Sequence, residues 1–517
     1  MLLKENKFFI VTLILCIILF STTFGNLPTA PAAMGTQTIN GTTYDFADYG
    51  SLDHEALAVF NYLDSFITGK PYNDWEDWHA EGFDGLLHYV IAFMAYSMSR
   101  MFASTPGYRT DHYRDFAHDL IKKMNTTVAE YGNDSVEYIE WVNPDYTFTE
   151  YYWPNATDPS DLYVGGFRGP TNIMWTGHYA LMMAFYERSF NTGEMRDELS
   201  WFVADWNNSL TTDGLGNPKE GGIWEVGIIP CEPYIVFVQC NSIPILTTEL
   251  YDNMYDTQYM ESGMWDYGLN FMNTVMQDDY GLFTDGYYVM EPMGYTYPSE
   301  GPQPEFPGHS LRFGSPKVSS YCNGWALNFL EYTQESETIN DYPIYLEQFG
   351  KDVSADKMYM VDTYHSPGSF GTFDMLGTLF TLALARQRED FTTLQRLKNF
   401  MFSPFNKVWS ADGRMMHYDT MSLMPFFQVP LSYAWIWSTG SVSIKDLGDS
   451  HPEEFWDYPY ISTADDNLIW IYQAEWDPVK DGFILNIKVD QDATLTFNNF
   501  DHAPSAYSNG LLLGELT

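Results

Sequence analysis

The chain of 517 residues is 45% apolar, which supplies one large buried core or two medium ones and excludes a disordered protein. Its formal net charge is −44 at pH 7, and such a surface repels nucleic acid, so we expect no nucleic-acid partner. Aromatic residues reach 17%, and together with 25 methionines they predict densely packed helices, a cavity walled by rings and thioethers, or both.

The N-terminal segment 1–33 has the pattern of an export signal. Two lysines precede an apolar run over 8–20, which is too short for a comfortable membrane span, and small residues follow it. If the apolar run extends to Gly25, the segment is an uncleaved membrane anchor instead. We therefore predict an exported, extracytoplasmic protein that is either secreted or anchored to a membrane.

Helical patterns fill the chain over about 45–448. Nearly all-apolar segments such as Leu86–Tyr96 and Asn172–Ser189 alternate with amphipathic ones such as Asp111–Met124. Loops rich in Gly, Pro and aromatic residues connect them, and no alternation of strands and helices is visible. Inner apolar helices surrounded by outer polar helices are typical of an (α/α) barrel, so we predict a mainly α catalytic domain of that kind.

The composition changes near Asp449. Short runs rich in β-branched and aromatic residues follow at 468–472, 483–489 and 493–497, and each reads as a strand. We therefore predict a small β-rich segment over 449–517. The whole chain lacks paired-cysteine clusters and a His-Glu-x-x-His motif, so we predict no metal site.

Two cysteines, Cys231 and Cys240, bracket an apolar segment that contains Tyr234 and Phe237. After removal of the leader, the mature chain keeps an odd number of cysteines, the third being Cys322, so at least one stays free unless chains cross-link. A Cys231–Cys240 disulfide is the structural alternative. Free thiols at these positions can act as acid, base or nucleophile.

His178 lies on an apolar predicted helix, where a histidine is most often a satisfied core residue. Burial lowers the affinity of an imidazole for a proton and a neighbouring acid raises it, so its surroundings decide whether it takes part in catalysis. Met174 is one turn away on the same face, and we expect it to line the same pocket. With the two cysteines, His178 suggests an acid/base centre in an apolar cavity.

Asp84 stands just before another predicted inner helix. It is either an N-cap or a carboxylic acid that an apolar site keeps protonated for use as a general acid. Tyr89 and Tyr96 follow on the same helix, and their hydroxyl groups can hold the hydroxyl group of a substrate.

On these residues the sequence resembles the linalool dehydratase/isomerase family. The likeness rests on Met174-xxx-His178, on Cys231 and Cys240 within CEPYIVFVQCN, and on NGWAL beginning at Asn323. The resemblance implies an (α/α)6 barrel with a cofactor-free active site and a homo-oligomer in which a neighbouring subunit can contribute to the site. It also implies reversible removal of water from an acyclic terpene alcohol and isomerisation of the allylic alcohol.

By motif match, the resemblance implies active-site roles for His178, Cys231, Cys240 and Met174. The family also uses an aspartate and tyrosines from an early inner helix, for which Asp84 and Tyr89 are candidates whose spacing fits imperfectly. We expect Asp84 or Cys231 near the leaving hydroxyl group, with His178 and Cys240 exchanging protons. A covalent thioether through one cysteine is the rival mechanism. The residues expected to line the substrate pocket are Met174, Trp175, Tyr234 and Phe237.

Three functions therefore compete. The first is a hydro-lyase/isomerase for a small hydrophobic alkenol or terpene alcohol, and it is the one that we prefer. The second is a glycoside hydrolase or polysaccharide lyase on the same type of barrel, with a carboxylate pair drawn from the 69 acidic residues. The third is a non-catalytic exterior binding protein in which Cys231 and Cys240 are simply bonded to each other.

Overall fold

The computed structural model describes most of the chain beyond the predicted leader. Within 1–33 it describes only the strand Phe9–Val11. The described residues are 9–11, 35–80, 87–142, 172–231, 234–291, 305–312, 315–363, 372–419, 428–440, 442–489, 491–508 and 511–515.

Helices make up the body of the described chain. In chain order they are α1 (His54–Asp64), α2 (Glu76–Ala80), α3 (Leu87–Ser104), α4 (Asp111–Met124), α5 (Val128–Tyr131), α6 (Ile173–Phe190), α7 (Arg196–Thr211), α8 (Val238–Tyr255), α9 (Asp266–Thr274), α10 (Ser320–Leu330), α11 (Glu335–Phe349), α12 (Thr372–Gln387), α13 (Phe391–Met401) and α14 (Gln428–Trp437). A π-helical segment spans Glu137–Val142, and short 3-10 segments span Phe46–Asp48, Lys445–Leu447 and Glu453–Asp457.

Six of these helices close into a ring around the core. Helices α3, α6, α8, α10, α12 and α14 each pack against the next one in this order, and α14 packs back against α3. Nearly every residue of α6 is buried, as expected for a helix that is covered on all sides. The ring is the inner layer of the predicted barrel.

A second layer of helices covers the ring from outside. Helix α4 packs on α3 and α6, α7 on α6, α11 on α10, α13 on α12, and α1 on α14. The sixth outer helix, α9, is joined to α8 because Trp265 Nε1 donates a hydrogen bond to Thr248 Oγ1 at 3.1 Å. Outer helices bury one face only, as the inward residues Phe116 and Leu120 of α4 illustrate. The predicted (α/α)6 barrel is therefore confirmed.

The inner helices run in the same direction, because an outer helix returns the chain after each of them. Contacts between α3 and α6 follow the same order along both helices. Tyr89 contacts Met174 near the two N-termini, and Tyr96 contacts His178 further along. Gly177 lets α6 approach α8, since a methyl group at this position would lie only 3.2 Å from Cδ of Pro244. The six N-termini therefore lie at one end of the barrel.

Buried arginines close the opposite end. Arg100 Nη2 donates to the backbone oxygen of Thr439 at 2.5 Å, and Arg188 Nε donates to that of Asp449 at 2.7 Å. Arg188 lies in the last turn of α6, and Arg100 lies just before the last turn of α3. Unpaired carbonyl groups and the helix dipole favour a cation near the C-terminus of a helix. One end of the barrel therefore carries the N-termini of the inner helices, and the other end carries their C-termini and the buried arginines.

Strands lie in the loops and at the C-terminus. In chain order they are β1 (Phe9–Val11), β2 (Thr36–Ile39), β3 (Thr42–Asp45), β4 (Ile235–Phe237), β5 (Gly286–Tyr288), β6 (Gly308–His309), β7 (Leu311–Arg312), β8 (Ser315–Pro316), β9 (Gly350–Ser354), β10 (Lys357–Met360), β11 (Asn406–Trp409), β12 (Met416–Asp419), β13 (Tyr460–Ala464), β14 (Ile469–Asp477), β15 (Gly482–Val489), β16 (Leu495–Asn498), β17 (Ser505–Ser508) and β18 (Leu511–Glu515). All pairings between these strands are antiparallel, and β4, β5 and β6 form one small sheet.

The C-terminal strands dock on the closed end of the barrel. Leu52 N donates to Tyr472 O at 2.9 Å, and Gly107 N donates to Ala474 O at 2.8 Å. The pairs β14–β15 and β13–β16 form the largest strand contacts there, and β1 pairs with β16. Small strands at the C-terminus are thus confirmed, while the domain boundary near 449 remains a prediction. Within the described residues, no helix is long and apolar enough to cross a membrane.

Candidate active site

His178 is the centre of the candidate site. Its side chain is completely buried in α6, and Nδ1 lies 2.7 Å from the hydroxyl oxygen of Tyr96 on α3. Burial, with a smaller contribution from His88, holds the pKa of His178 well below its ordinary value, so the imidazole is neutral near pH 7. Within the described chain Nε2 has no hydrogen-bond partner. One side of the ring is therefore fixed and the other is available.

The Tyr96 contact decides which nitrogen carries the hydrogen. Burial raises the pKa of Tyr96 well above its usual value, so the phenol keeps its proton. The hydroxyl oxygen lies 2.7 Å from Nδ1 and 3.5 Å from the backbone oxygen of His178, so we assign the phenol hydrogen to the shorter contact, with Nδ1 as the acceptor. This assignment places the hydrogen of the neutral imidazole on Nε2. The nitrogen without a partner is consequently a donor.

Aromatic rings from several inner helices enclose this imidazole. Tyr89 lies 5.2 Å from His178 between ring centroids, Trp325 lies at 5.4 Å and Phe93 at 5.9 Å. We call these three residues, with Phe380, the aromatic box. Phe380 lies 5.0 Å from Trp325 and 5.7 Å from Phe93. Ring faces of this kind favour cationic character on a bound carbon skeleton.

Met174 joins the same site. Its sulfur lies 3.7 Å from the hydroxyl oxygen of Tyr89, so the thioether of α6 meets the phenol of α3 at the N-terminal end of the barrel. The structure thus brings together His178, Met174 and Tyr89 out of the residues that the sequence singled out.

The three described cysteines are buried, and none of them forms a disulfide with another described residue. Cys231 lies in the loop before β4, where Pro230 O accepts a hydrogen bond from Ile173 N at 3.2 Å, and this contact ties the loop to the start of α6. Cys240 is in the first turn of α8. The alternative of a Cys231–Cys240 disulfide does not occur in the structure.

Cys240 lies near the level of His178 along the barrel axis. Pro244 is one turn after Cys240 on α8, and it packs against Gly177, the neighbour of His178 on α6. The backbone positions of His178 and Cys240 therefore lie on adjacent inner helices about one turn apart along the barrel axis.

A side-chain clamp fixes the loop that carries Cys231. Asn241 Oδ1 accepts from Ile229 N at 2.8 Å, and its Nδ2 donates to Ile229 O and Phe237 O, both at 2.9 Å. Asn323 makes the same three contacts at the start of α10: it accepts from Phe283 N and donates to Phe283 O and Ser319 O. The Cys-Asn pairs 240–241 and 322–323 thus hold equivalent positions on neighbouring helices.

Cys322 is the thiol that sequence reasoning did not select. Its Sγ donates to Gln239 Oε1 at 2.9 Å, so it holds the residue next to Cys240. Burial, followed by the negative charge of Asp285, raises the pKa of Cys322 well above its ordinary value. The repeated Cys-Asn dipeptide is the sequence signal that identifies it.

A buried carboxylate was also missed. Asp285 is fully buried, with Oδ2 at 2.9 Å from Lys317 Nζ and Oδ1 accepting from Ser319 Oγ at 2.5 Å. Burial, with the charges of Asp285 and the thiols, raises the pKa of Tyr321 well above its ordinary value. Among 69 acidic residues, nothing in the sequence separates Asp285 from the rest.

Trp175 and Tyr234, which the sequence also singled out, stack on other aromatic rings. Trp175 stacks on Tyr179 at 4.7 Å, and Tyr179 donates to Glu198 of the outer helix α7, so this pair faces outward from the ring. Tyr234 stacks on Tyr288 at 6.0 Å, and Phe237 ends β4 directly before α8. Asp84 lies outside the described residues.

Three comparisons with known proteins bear on this chain. Residues 223–422 match the family model described as linalool dehydratase/isomerase. The fold is similar to a glycoside hydrolase from family 105 of C. acetobutylicum ATCC 824, with a TM-score of 0.42 and 10% identity over 70% of this chain and 92% of that one. It is also similar to an inactive alpha-1,6-mannanase variant from Salegentibacter sp. HEL1_6 in complex with alpha-1,6-mannotriose, with a TM-score of 0.37 and 8% identity over 70% of this chain and 89% of that one.

The two solved structures are too distant to carry any argument here. The family match is different, because it covers Cys231, Cys240, Cys322 and Trp325, while Tyr89 and His178 precede it. The match to the linalool dehydratase/isomerase family model spans 200 of the 517 residues, which is less than half of the chain.

Proposed function

We propose that this protein is a hydro-lyase with isomerase activity, acting by acid/base chemistry on a small hydrophobic alkenol or terpene alcohol. The match of residues 223–422 to the linalool dehydratase/isomerase family model supports this class of reaction. The observation that carries the proposal is the neutral His178 imidazole, held by Tyr96 on one side, open on the other and surrounded by rings.

Loss of water from an allylic alcohol needs a proton on the leaving oxygen. An acid, Asp84 or Cys231, transfers that proton, the C–O bond breaks with its electron pair on oxygen, and water leaves. His178 steadies the oxygen through its Nε2–H, while the aromatic box shelters the cationic carbon skeleton. The thiolate form of Cys240 then takes a proton from the neighbouring carbon of the cation, which gives the diene and a neutral thiol. Transfer of that proton back to the acid restores the starting state of both groups. Return of water to the other end of the allyl group, with loss of one proton, gives the isomeric alcohol.

The first test is turnover of a C5 to C10 panel of allylic alcohols by the purified protein, with gas chromatography of the dienes and isomeric alcohols. We expect the wild type to form both product classes. Cys240→Ala is expected to slow turnover by about 10²–10⁴-fold, the usual contribution of a positioned acid or base. An unchanged rate in Cys240→Ala would remove its role, and a wild type that is inactive on every alcohol would contradict the proposal.

The glycoside hydrolase or polysaccharide lyase alternative requires a carboxylate pair that flanks the scissile bond. The described side chains around His178 are rings and a thioether, so no specific observation favours this alternative. A panel of polysaccharides in the same experiment separates the two, since activity there without alkenol turnover would favour the alternative.

We also propose that the protein is exported, on the basis of the leader pattern over 1–33, and that it forms a homo-oligomer, on the basis of the family resemblance. Cell fractionation with N-terminal sequencing of the mature chain tests export and cleavage. Light scattering of the purified protein tests assembly, for which a mass of 59.6 kDa for the uncleaved chain, or a smaller one after removal of the leader, would indicate a monomer.

A further inference from the structure

The neighbouring rings of His178 and Trp325 each carry a nitrogen that has no hydrogen-bond partner within the described residues. Within the described residues, neither His178 Nε2 nor Trp325 Nε1 makes a hydrogen bond. The side chains are 0% and 6% exposed, and the ring centroids are 5.4 Å apart. A buried polar atom without a partner is destabilising, and such atoms often mark the place of a water molecule or a ligand.

The chemistry of these nitrogens defines what they can hold. An indole nitrogen only donates, and the argument from Tyr96 places the hydrogen of His178 on Nε2. Two donors on adjacent rings fit one acceptor, which is an oxygen atom. The walls around them are Tyr89, Phe93 and Phe380, whose rings provide no charge to balance a carboxylate or a phosphate. A neutral hydroxyl group on a hydrocarbon fits both requirements.

The packing of α10 holds Trp325 in this position. A methyl group at Gly324 would lie 2.8 Å from the hydroxyl oxygen of Tyr345 and 3.2 Å from Cβ of Phe380, so only glycine permits this close approach of α10 to α11 and α12. Asn323 anchors the same turn through its contacts with Phe283. The Asn-Gly-Trp sequence therefore fixes the position of the indole ring next to His178.

We propose that Trp325 is the second contact of the substrate oxygen: in the bound alcohol its Nε1–H donates to the same oxygen as Nε2–H of His178. When the acid protonates that oxygen, its proton takes the place of one of these two hydrogen bonds, and both donors hold the water that is released. The site thereby selects an alcohol over the corresponding hydrocarbon, and it retains the oxygen after it leaves as water. This role in the reaction rests on the proposed function, whereas the selection of a hydroxyl group does not require turnover. During isomerisation, a retained water lies close to both ends of the allyl group.

The test compares two ligands that differ by one oxygen: 3,7-dimethylocta-1,6-dien-3-ol and 3,7-dimethylocta-1,6-diene. Isothermal titration in the Cys240→Ala background prevents consumption of the alcohol. We expect the parent to bind the alcohol about 10-fold or more tightly than the diene. Trp325→Phe keeps an aromatic ring and removes the donor, so it should weaken alcohol binding by about 5–10-fold and change diene binding by less than about 2-fold.

Trp437→Phe is the matched control, because Trp437 is also a buried tryptophan whose Nε1 lacks a partner within the described residues. It should leave both affinities unchanged. A parent protein without preference for the alcohol, or a Trp325→Phe variant that weakens both ligands equally, overturns the inference. Selective binding without alkenol turnover would instead leave the inference intact and contradict the proposed function.

Discussion

Tyr96 controls the state of His178 at the scale of single residues. Its hydroxyl group is 2.7 Å from Nδ1, and both side chains are buried, so the contact fixes the orientation and the tautomer of the imidazole. The neutral imidazole is then a hydrogen-bond donor towards the aromatic box. A buried histidine is usually a packing residue, but here one nitrogen is held and the other is open.

Tyr96→Phe removes this contact and leaves Nδ1 buried without a partner. We expect kcat for alkenol turnover to fall about 10-fold or more with little change in KM, because the imidazole loses its fixed tautomer. The free energy of unfolding should fall by about 1–3 kcal/mol. Steady-state kinetics and urea unfolding provide the two measurements.

Tyr345→Phe serves as the comparison for that variant. Tyr345 is equally buried, and its hydroxyl group lies 2.6 Å from Thr381 Oγ1, between α11 and α12. The Tyr345→Phe variant should lose about as much unfolding free energy as Tyr96→Phe, while its kcat stays within about 2-fold of the wild-type value. Equal losses of kcat in both variants would show that Tyr96 acts only through stability.

At the scale of elements, Asn241 and Asn323 attach loops to the starts of inner helices in the same way. Each satisfies a backbone N–H and C=O of the incoming chain as well as a carbonyl group that precedes its own helix. Buried loop backbone needs such partners, since it has no ladder of its own. The clamp by Asn241 positions the segment that carries Cys231 beside α6.

Asn241→Ala should therefore destabilise the protein and loosen this segment. Loss of three buried hydrogen bonds is expected to lower the free energy of unfolding by about 2–4 kcal/mol. Native-state alkylation, mapped by mass spectrometry, should become faster at Cys231 and stay unchanged at Cys322, whose helix keeps its own clamp. Equal acceleration at both thiols would indicate global unfolding instead of a local clamp.

At the scale of the whole molecule, the segment after the last inner helix is held to the barrel by rings and cations. His451 stacks on Phe455 at 3.9 Å, Arg109 lies 3.9 Å above the same ring, and Arg188 Nη1 lies 3.5 Å from His451 Nε2. Burial, with the charges of both arginines, lowers the pKa of His451 to about 3. We call these contacts of His451 the His451 cluster, and the cluster requires a neutral imidazole.

The stability of the protein should depend on pH through this residue. The unfolded chain binds a proton at His451 below about pH 6.5, whereas the folded chain does so only near pH 3. Between these pH values the unfolded state thus binds more protons than the folded state. The contribution of His451 to stability is therefore lost as pH falls. Between pH 7 and pH 5 we expect the wild type to lose about 1–2 kcal/mol more than His451→Gln in urea unfolding. Equal losses of unfolding free energy in both proteins would exclude the His451 cluster as the cause.

The sequence by itself determined the alternation of inner and outer helices and the small C-terminal strands. It also singled out His178, Met174, Cys231 and Cys240 as candidates for the site. These features depend on local periodicity and short motifs, which a chain carries wherever it folds. The direction of Trp175 was not readable, because α6 is apolar on every face and has no amphipathic signal to orient it.

Only the tertiary structure decided which side chains surround His178. Trp325 and Phe380 come from helices far along the chain, and Asp285 is buried beside Lys317 although its neighbours in sequence do not predict it. Closure of the ring sets the relative heights of the six inner helices, and these heights select the contacts. That arrangement is a property of packing between distant segments, which no local pattern encodes.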